Sequence, residues 1–136
     1  MTTDAYAAGT QTRRLQLLLL LLILWDALAL VAELSFGGPL FETSGDDIGG
    51  VLAGRGSFGG AAAVLLLAYV YALARGPLRH RGVLWLGVLE QAATVLFSAF
   101  HVAVGDMDVE AAIVPIVVSG ALFVLLLLNM PRQTVS

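Results

Sequence analysis

The sequence predicts an all-α integral membrane protein, a four-helix bundle with both termini cytoplasmic. Three observations predict it. Of the 136 residues, 59% are hydrophobic and only 12% charged, whereas soluble domains carry roughly 25% charged residues. The apolar residues gather into four runs, each able to supply the about 20 residues that cross a bilayer as a helix. Six of the seven basic residues fall on one side of that four-run plan. Open strands are excluded, because in lipid the backbone must satisfy its own hydrogen bonds. Four spans leave short loops and tails, with no room for a separate soluble domain.

In chain order, residues 1–14 (MTTDAYAAGTQTRR) are small and polar, and are expected as a cytoplasmic tail, disordered or lying on the surface. Arg13 and Arg14 then abut the first span, about 15–36. A basic pair before an apolar run can open a signal peptide, whose apolar region has about 7–15 residues. This run is longer and lacks a clear cleavage site, so it reads as an anchor. Gly, Pro, Asp and Ser make residues 37–50 a loop. The second span, about 51–74, contains Gly56-x-x-x-Gly60 with Gly59 and Ala61 to Ala63; such small residues let a helix approach a neighbour closely. Pro77 and Gly76 make Arg75 to Arg81 a tight basic turn.

The third span, about 82–104, is the least uniform, with Glu90, Gln91, Thr94, Ser98 and His101. Gly105 to Asp108 form a short turn, with Asp108 placed to cap the fourth helix and Glu110 favourable in its first turn. That helix covers about 109–130 and contains Pro115, which should kink it. The transmembrane domain is thus 15–130, and residues 131–136 are a second cytoplasmic tail. Arg13, Arg14, Arg75, Arg79, Arg81 and Arg132 share one side, and only Arg55 falls on the other. Opposite them stand Glu42, Asp46, Asp47, Asp106, Asp108 and Glu110. Because the basic side faces the cytoplasm, the expected localisation is the cell membrane of a bacterium, with both termini inside.

Three acids fall within the spans: Asp26, Glu33 and Glu90. A charge at the bilayer centre costs about 2.5–3.5 kcal/mol on insertion scales, so such groups face the interior, pair, or hold a proton. Asp26 and Glu33 share one face of the first helix. Glu90, Thr94, Ser98 and His101 share an arc of the third, extended by Gly87 and Gly105; Arg55, Gly59, Ala62, Leu66 and Tyr69 share a face of the second. A rise of about 1.5 Å per residue sets Glu33, Arg55 and His101 in one outer polar layer, where Arg55 can neutralise Glu33. Asp26 is expected near the midplane, with Glu90 deeper toward the cytoplasm, level with Tyr69. No cation is in reach of these two acids, so at least one is expected to be protonated. Asp26, Glu90, Tyr69 and Thr94 are therefore the candidates for binding a ligand or a proton. Polar glue between helices and a functional site both remain open for these residues.

Cysteine is absent, which excludes disulfides, thiolate metal sites and paired-cysteine redox chemistry. His80 and His101 are a full span apart, so they cannot share a haem iron, and the outer acids match no EF-hand spacing. No metal site, catalytic triad, nucleotide loop or nucleic-acid signature is found. The LAGRGSFGG start of the second helix, the Glu90-Gln91 pair and the proline of the fourth resemble small bacterial membrane proteins of the BphX-like and DoxX-like type. These families carry no established activity, so the resemblance implies only the architecture. In length, helix count and a first-helix carboxylate the chain also looks like the small multidrug transporters, from which it departs in its charge bias and extra acids.

Two functions follow as expectations. The first is a structural or ligand-binding bundle, holding a lipid or quinone-like molecule, or serving as a homo-oligomer or a subunit of a larger membrane complex. The second is a proton-coupled small-molecule transporter that uses intramembrane carboxylates. The sequence favours the first; a membrane enzyme is a third, less favoured reading, for which there are only isolated acids and one histidine.

Overall fold

The computed structural model describes the backbone over residues 2–36 and 48–132, and side-chain surroundings over 6–32 and 60–132. The chain is all-α, with α1 (Thr2–Phe36), α2 (Ile48–Arg75), α3 (Arg81–Val104) and α4 (Val109–Asn129), plus a 3-10 turn at Pro77–Arg79. Among the described residues, three stretches are long and apolar enough to cross a membrane: Tyr6–Ala32, Arg81–Val104 and Val109–Asn129. The described apolar stretch of α2, Gly60–Arg75, is shorter.

The main departure from expectation is at the start. Residues 2–14 are not an irregular tail but the opening turns of α1, a helix of 35 residues. Alanines favour the helical state there and no proline interrupts it. Thr10 and Thr12 return their hydroxyls to the carbonyls of Tyr6 and Ala8, at 3.0 and 2.9 Å. The turn between α2 and α3 is as tight as expected. Gly76 adopts φ 100°, a region open to glycine, and the buried Pro77 starts the 3-10 turn.

α3 ends in a Schellman motif. Gly105 takes the left-handed conformation at φ 82°. The Asp106 amide donates to the His101 carbonyl (2.9 Å), and the Gly105 amide to Val102 (3.2 Å). Gly105 is thus the terminator of α3 and not an extension of its polar arc. Asp108 occupies the N-cap position of α4, but its side chain makes no capping bond. Its backbone carbonyl instead accepts from the Ala112 amide at 3.2 Å. α4 continues without a break through Pro115.

α1 packs against α2 and α4, and α3 against α4 and α2. One apolar core joins Leu15, Leu18, Leu19 and Leu22 of α1 to Tyr69 and Ala72 of α2, Leu84 and Val88 of α3, and Leu122 and Leu126 of α4. The middle of α1 therefore meets the last part of α2, the first half of α3 and the last part of α4. Successive helices alternate in direction, which gathers Arg13, Arg14, Arg75, Arg79 and Arg81 at one end of the molecule.

Gly87 is closely packed in this core. A Cβ there would meet Leu22 Cδ2 at 2.9 Å, Leu126 Cδ1 at 3.5 Å and Tyr69 Cε1 at 3.7 Å. One glycine of α3 thus touches all three other helices. The small-residue motif of α2 plays no such part at Gly60, which is exposed with nothing within 4 Å of a Cβ. The surroundings of Gly56 and Gly59 lie outside the described residues.

Candidate functional site

Directly above the aliphatic core, on the side away from the arginines, lies a polar layer drawn from three helices. Tyr69 of α2 is wholly buried and donates its hydroxyl to Glu90 Oε2 of α3. Gln91, also wholly buried, donates Nε2 to Asp26 Oδ1 of α1 at 3.2 Å. Gln91 is the residue next to Glu90, so its bond to Asp26 brings the two acids to the same turn of α3. Asp26 and Glu90 therefore meet in one layer and do not occupy separate depths. Counted from Arg75 on α2 and Arg81 on α3, that layer is about 9–14 Å inside the basic end, at about 1.5 Å per residue.

Asp26 Oδ2 and Gln91 Oε1 are both buried and have no hydrogen-bond partner. Both are acceptors, and a buried unsatisfied polar atom costs about 1–3 kcal/mol. Nothing basic among the described residues answers them, since the one ion pair found there joins His101 and Asp106. The layer therefore holds more acceptors than its two donors, the Tyr69 hydroxyl and the Gln91 amide, can satisfy. It is chemically fit to hold a proton or a small donor-bearing group. It offers no activated nucleophile, and among the described residues no group of three His, Cys, Asp or Glu could hold a metal ion.

Of the four candidates from sequence, Asp26, Glu90 and Tyr69 are brought together. Thr94 is adjacent but turned back on its own helix, its hydroxyl donating to the Glu90 carbonyl at 3.0 Å. The expected outer layer is only partly in view. His101 Nδ1 lies 3.3 Å from Asp106 Oδ2, just past the end of its own helix, and its ring meets Phe100 edge-on. The side chains of Glu33 and Arg55 lie outside the described residues.

Two features of the site were not expected. The first is Gln91, which carries the Asp26 contact. The buried side of α3 is Leu84, Gly87, Val88, Gln91 and Ser98, a face turned by roughly 60° from the Glu90–Thr94–Ser98–His101 arc at about 100° per residue. The spacing of three and four from Leu84 through Gln91 was the available signal. The second is the bond from Trp25 Nε1 to Ser119 Oγ, 3.2 Å, which ties α1 to α4 one residue from Asp26. Ser119 is wholly buried.

Two surface depressions lie away from the carboxyl pair. One is at Asp108 to Ala111, at the start of α4. The other is an open apolar groove of about 470 Å³ between α1 and α4, lined by Leu21, Leu24, Trp25, Leu28, Val117 and neighbouring residues. No family model matches this chain, and no curated protein or solved structure matches it either.

Proposed function

We propose that this chain is an integral membrane four-helix bundle, with both termini cytoplasmic, that binds a proton at Asp26 and Glu90 and couples it to movement of a small solute. The membrane part of this reading draws on the outer surface. Leu17, Leu24, Leu28, Val64, Leu67, Leu89, Leu96, Phe97, Val117 and Leu128 are all more than half exposed. Soluble monomers rarely expose contiguous apolar patches above a few hundred Å², and lipid covers such faces. The orientation draws on the arginines, which share one end. A periplasm-dependent reporter fused to the C-terminus is expected to be inactive, and a cytoplasm-dependent one active. The reverse result would invert the topology.

The observation that carries the function is the drawing together of two acids, from α1 and α3, with no basic side chain beside them among the described residues. An intramembrane acid is expensive and marks ion or proton pathways. Two acids drawn together without a cation beside them carry one charge more easily than two. The surroundings of the pair are also unequal. Toward the arginines it is closed by Leu15, Leu19, Leu22, Leu84 and Leu126, all buried. Toward the acidic end, Thr94, Ser98, His101 and Asp106 supply polar groups along α3. The pair therefore has polar neighbours toward the acidic end and an apolar core toward the basic end.

A second reading has the apolar groove between α1 and α4 in its favour: a lipid or quinone-like molecule lying beside Trp25. Liposomes carrying the protein and an internal pH-sensitive dye separate the two. Gradients of small organic cations, weak acids and amino acids are applied in turn. For at least one solute a pH change is expected, slowed at least tenfold by Asp26→Asn or Glu90→Gln. A pH change that survives both substitutions removes the carboxyl groups from the mechanism. No solute-driven change at all, with a lipophilic molecule co-purifying, replaces transport with ligand binding.

A further inference from the structure

We infer that the proton of the carboxyl pair sits on Asp26 Oδ2, held in a cyclic acid–amide pair with Gln91, while Glu90 carries the charge. This deepens the proton-binding reading above and rests on it. Four observations lead there. Gln91 Nε2 already donates to Asp26 Oδ1. The other oxygen of each group, Asp26 Oδ2 and Gln91 Oε1, is buried without a partner. Gln91 is wholly buried, so water does not reach its amide from the surface. Glu90, in contrast, already accepts the Tyr69 hydroxyl.

A carboxylic acid and a primary amide are complementary. Each carries one donor and one acceptor on a single carbon, so two parallel hydrogen bonds close a ring between them. With Asp26 ionised, the pair has one bond and two stranded acceptors. With a proton on Oδ2, Asp26 donates to Gln91 Oε1, and both stranded atoms are satisfied by one event. Turning the amide over does not remove the need for that proton, because Gln91 Oε1 would then face Asp26 Oδ1, acceptor against acceptor. Among the described residues, the other titratable groups facing Asp26 are Glu90 from α3 and Tyr69 from α2, and α4 contributes none at this level. The Tyr69 hydroxyl is a donor suited to a carboxylate, which places the negative charge on Glu90. Gln91 is thus a positioning residue that registers whether Asp26 holds its proton.

Asp26→Asn reproduces the ring with an N–H in place of the O–H, so its helix content and melting temperature should match wild type. The test is infrared spectroscopy of the full chain in detergent at neutral pH, reading the carbonyl band that only a protonated carboxyl shows. The band should be present in wild type, lost in Asp26→Asn, retained in Glu90→Gln and shifted to higher frequency in Gln91→Met. A wild type without the band overturns the assignment, as does a band that survives Asp26→Asn or disappears in Glu90→Gln. Should Gln91→Met fail to fold, the two acid variants decide alone. The expected band pattern together with an absence of solute-driven pH change leaves the proton seat standing and removes the transport reading.

Discussion

Gly87→Val is expected to lower the stability of the folded chain by about 1–3 kcal/mol, the usual cost of overpacking a filled interior. The substitution puts its first carbon 2.9 Å from Leu22 Cδ2, inside any normal contact, with Leu126 and Tyr69 closing the other sides. Leu22 and Tyr69 are wholly buried and Leu126 nearly so, so they have little space to retreat into. Gly87→Ala should be far milder, because Leu22 presents only a methyl group there and alanine regains about 1 kcal/mol of helix propensity. Both substitutions add the same Cβ, so the contrast between them reads the two further methyl groups of valine together with its lower helix propensity. Thermal unfolding in detergent, followed by helix content, measures both. Leu22→Ala in the Gly87→Val background should return about 0.5–3 kcal/mol relative to the sum of the single losses. If valine melts like wild type, or Leu22→Ala gives no rescue, α1 and α3 do not approach each other here.

This close contact shows what the sequence could and could not disclose. Number, order and approximate bounds of the helices were readable, because each apolar run is bounded by glycine, proline or charge. The start of α1 was not, since a polar stretch of small residues carries no period and its helicity rests on continuity with the leucine run. Which face of α1 turns inward was equally hidden among Leu17 to Leu22, where every position is apolar. Asp26 and Trp25 set that phase, and the leucines one and two turns earlier follow it. On α3 the polar residues pointed to a polar face but biased its centre toward Glu90. The packed face is centred nearer Gln91, with Glu90 at its edge, half-buried. The glycines of α2 had the spacing of a contact motif, yet Gly60 is exposed, while Gly87 of α3, outside any such motif, is closely packed. Pairwise meetings such as Trp25 with Ser119 depend on the rotation of two helices at once and have no local signature.

Tyr69→Phe is expected to cost about 1–3 kcal/mol, although it removes a single oxygen. The ring keeps its place beside Gly87, so no cavity of consequence opens; what is lost is the donor to Glu90. Tyr69→Ala adds the loss of a wholly buried ring and should cost about 3–5 kcal/mol by analogy with other buried aromatic truncations. A double-mutant cycle of Tyr69→Phe with Glu90→Gln separates the bond from its surroundings, with a coupling of about 0.5–3 kcal/mol expected from denaturation in mixed detergent. Zero coupling, or a Tyr69→Phe variant as stable as wild type, would mean that the hydroxyl contributes nothing to holding α2 against α3. The consequence for the carboxyl pair is sharper than the loss of stability. Without the Tyr69 donor, Glu90 loses the bond that favours its charged form over that of Asp26. The proton can then be held by either acid, and the carbonyl band lost in Asp26→Asn should persist when that substitution is made together with Tyr69→Phe. Because Tyr69 belongs to α2, Asp26 to α1 and Glu90 to α3, moving one proton within the pair changes which hydrogen bonds join three helices. That is the physical link by which a proton bound inside this protein would alter the packing around it.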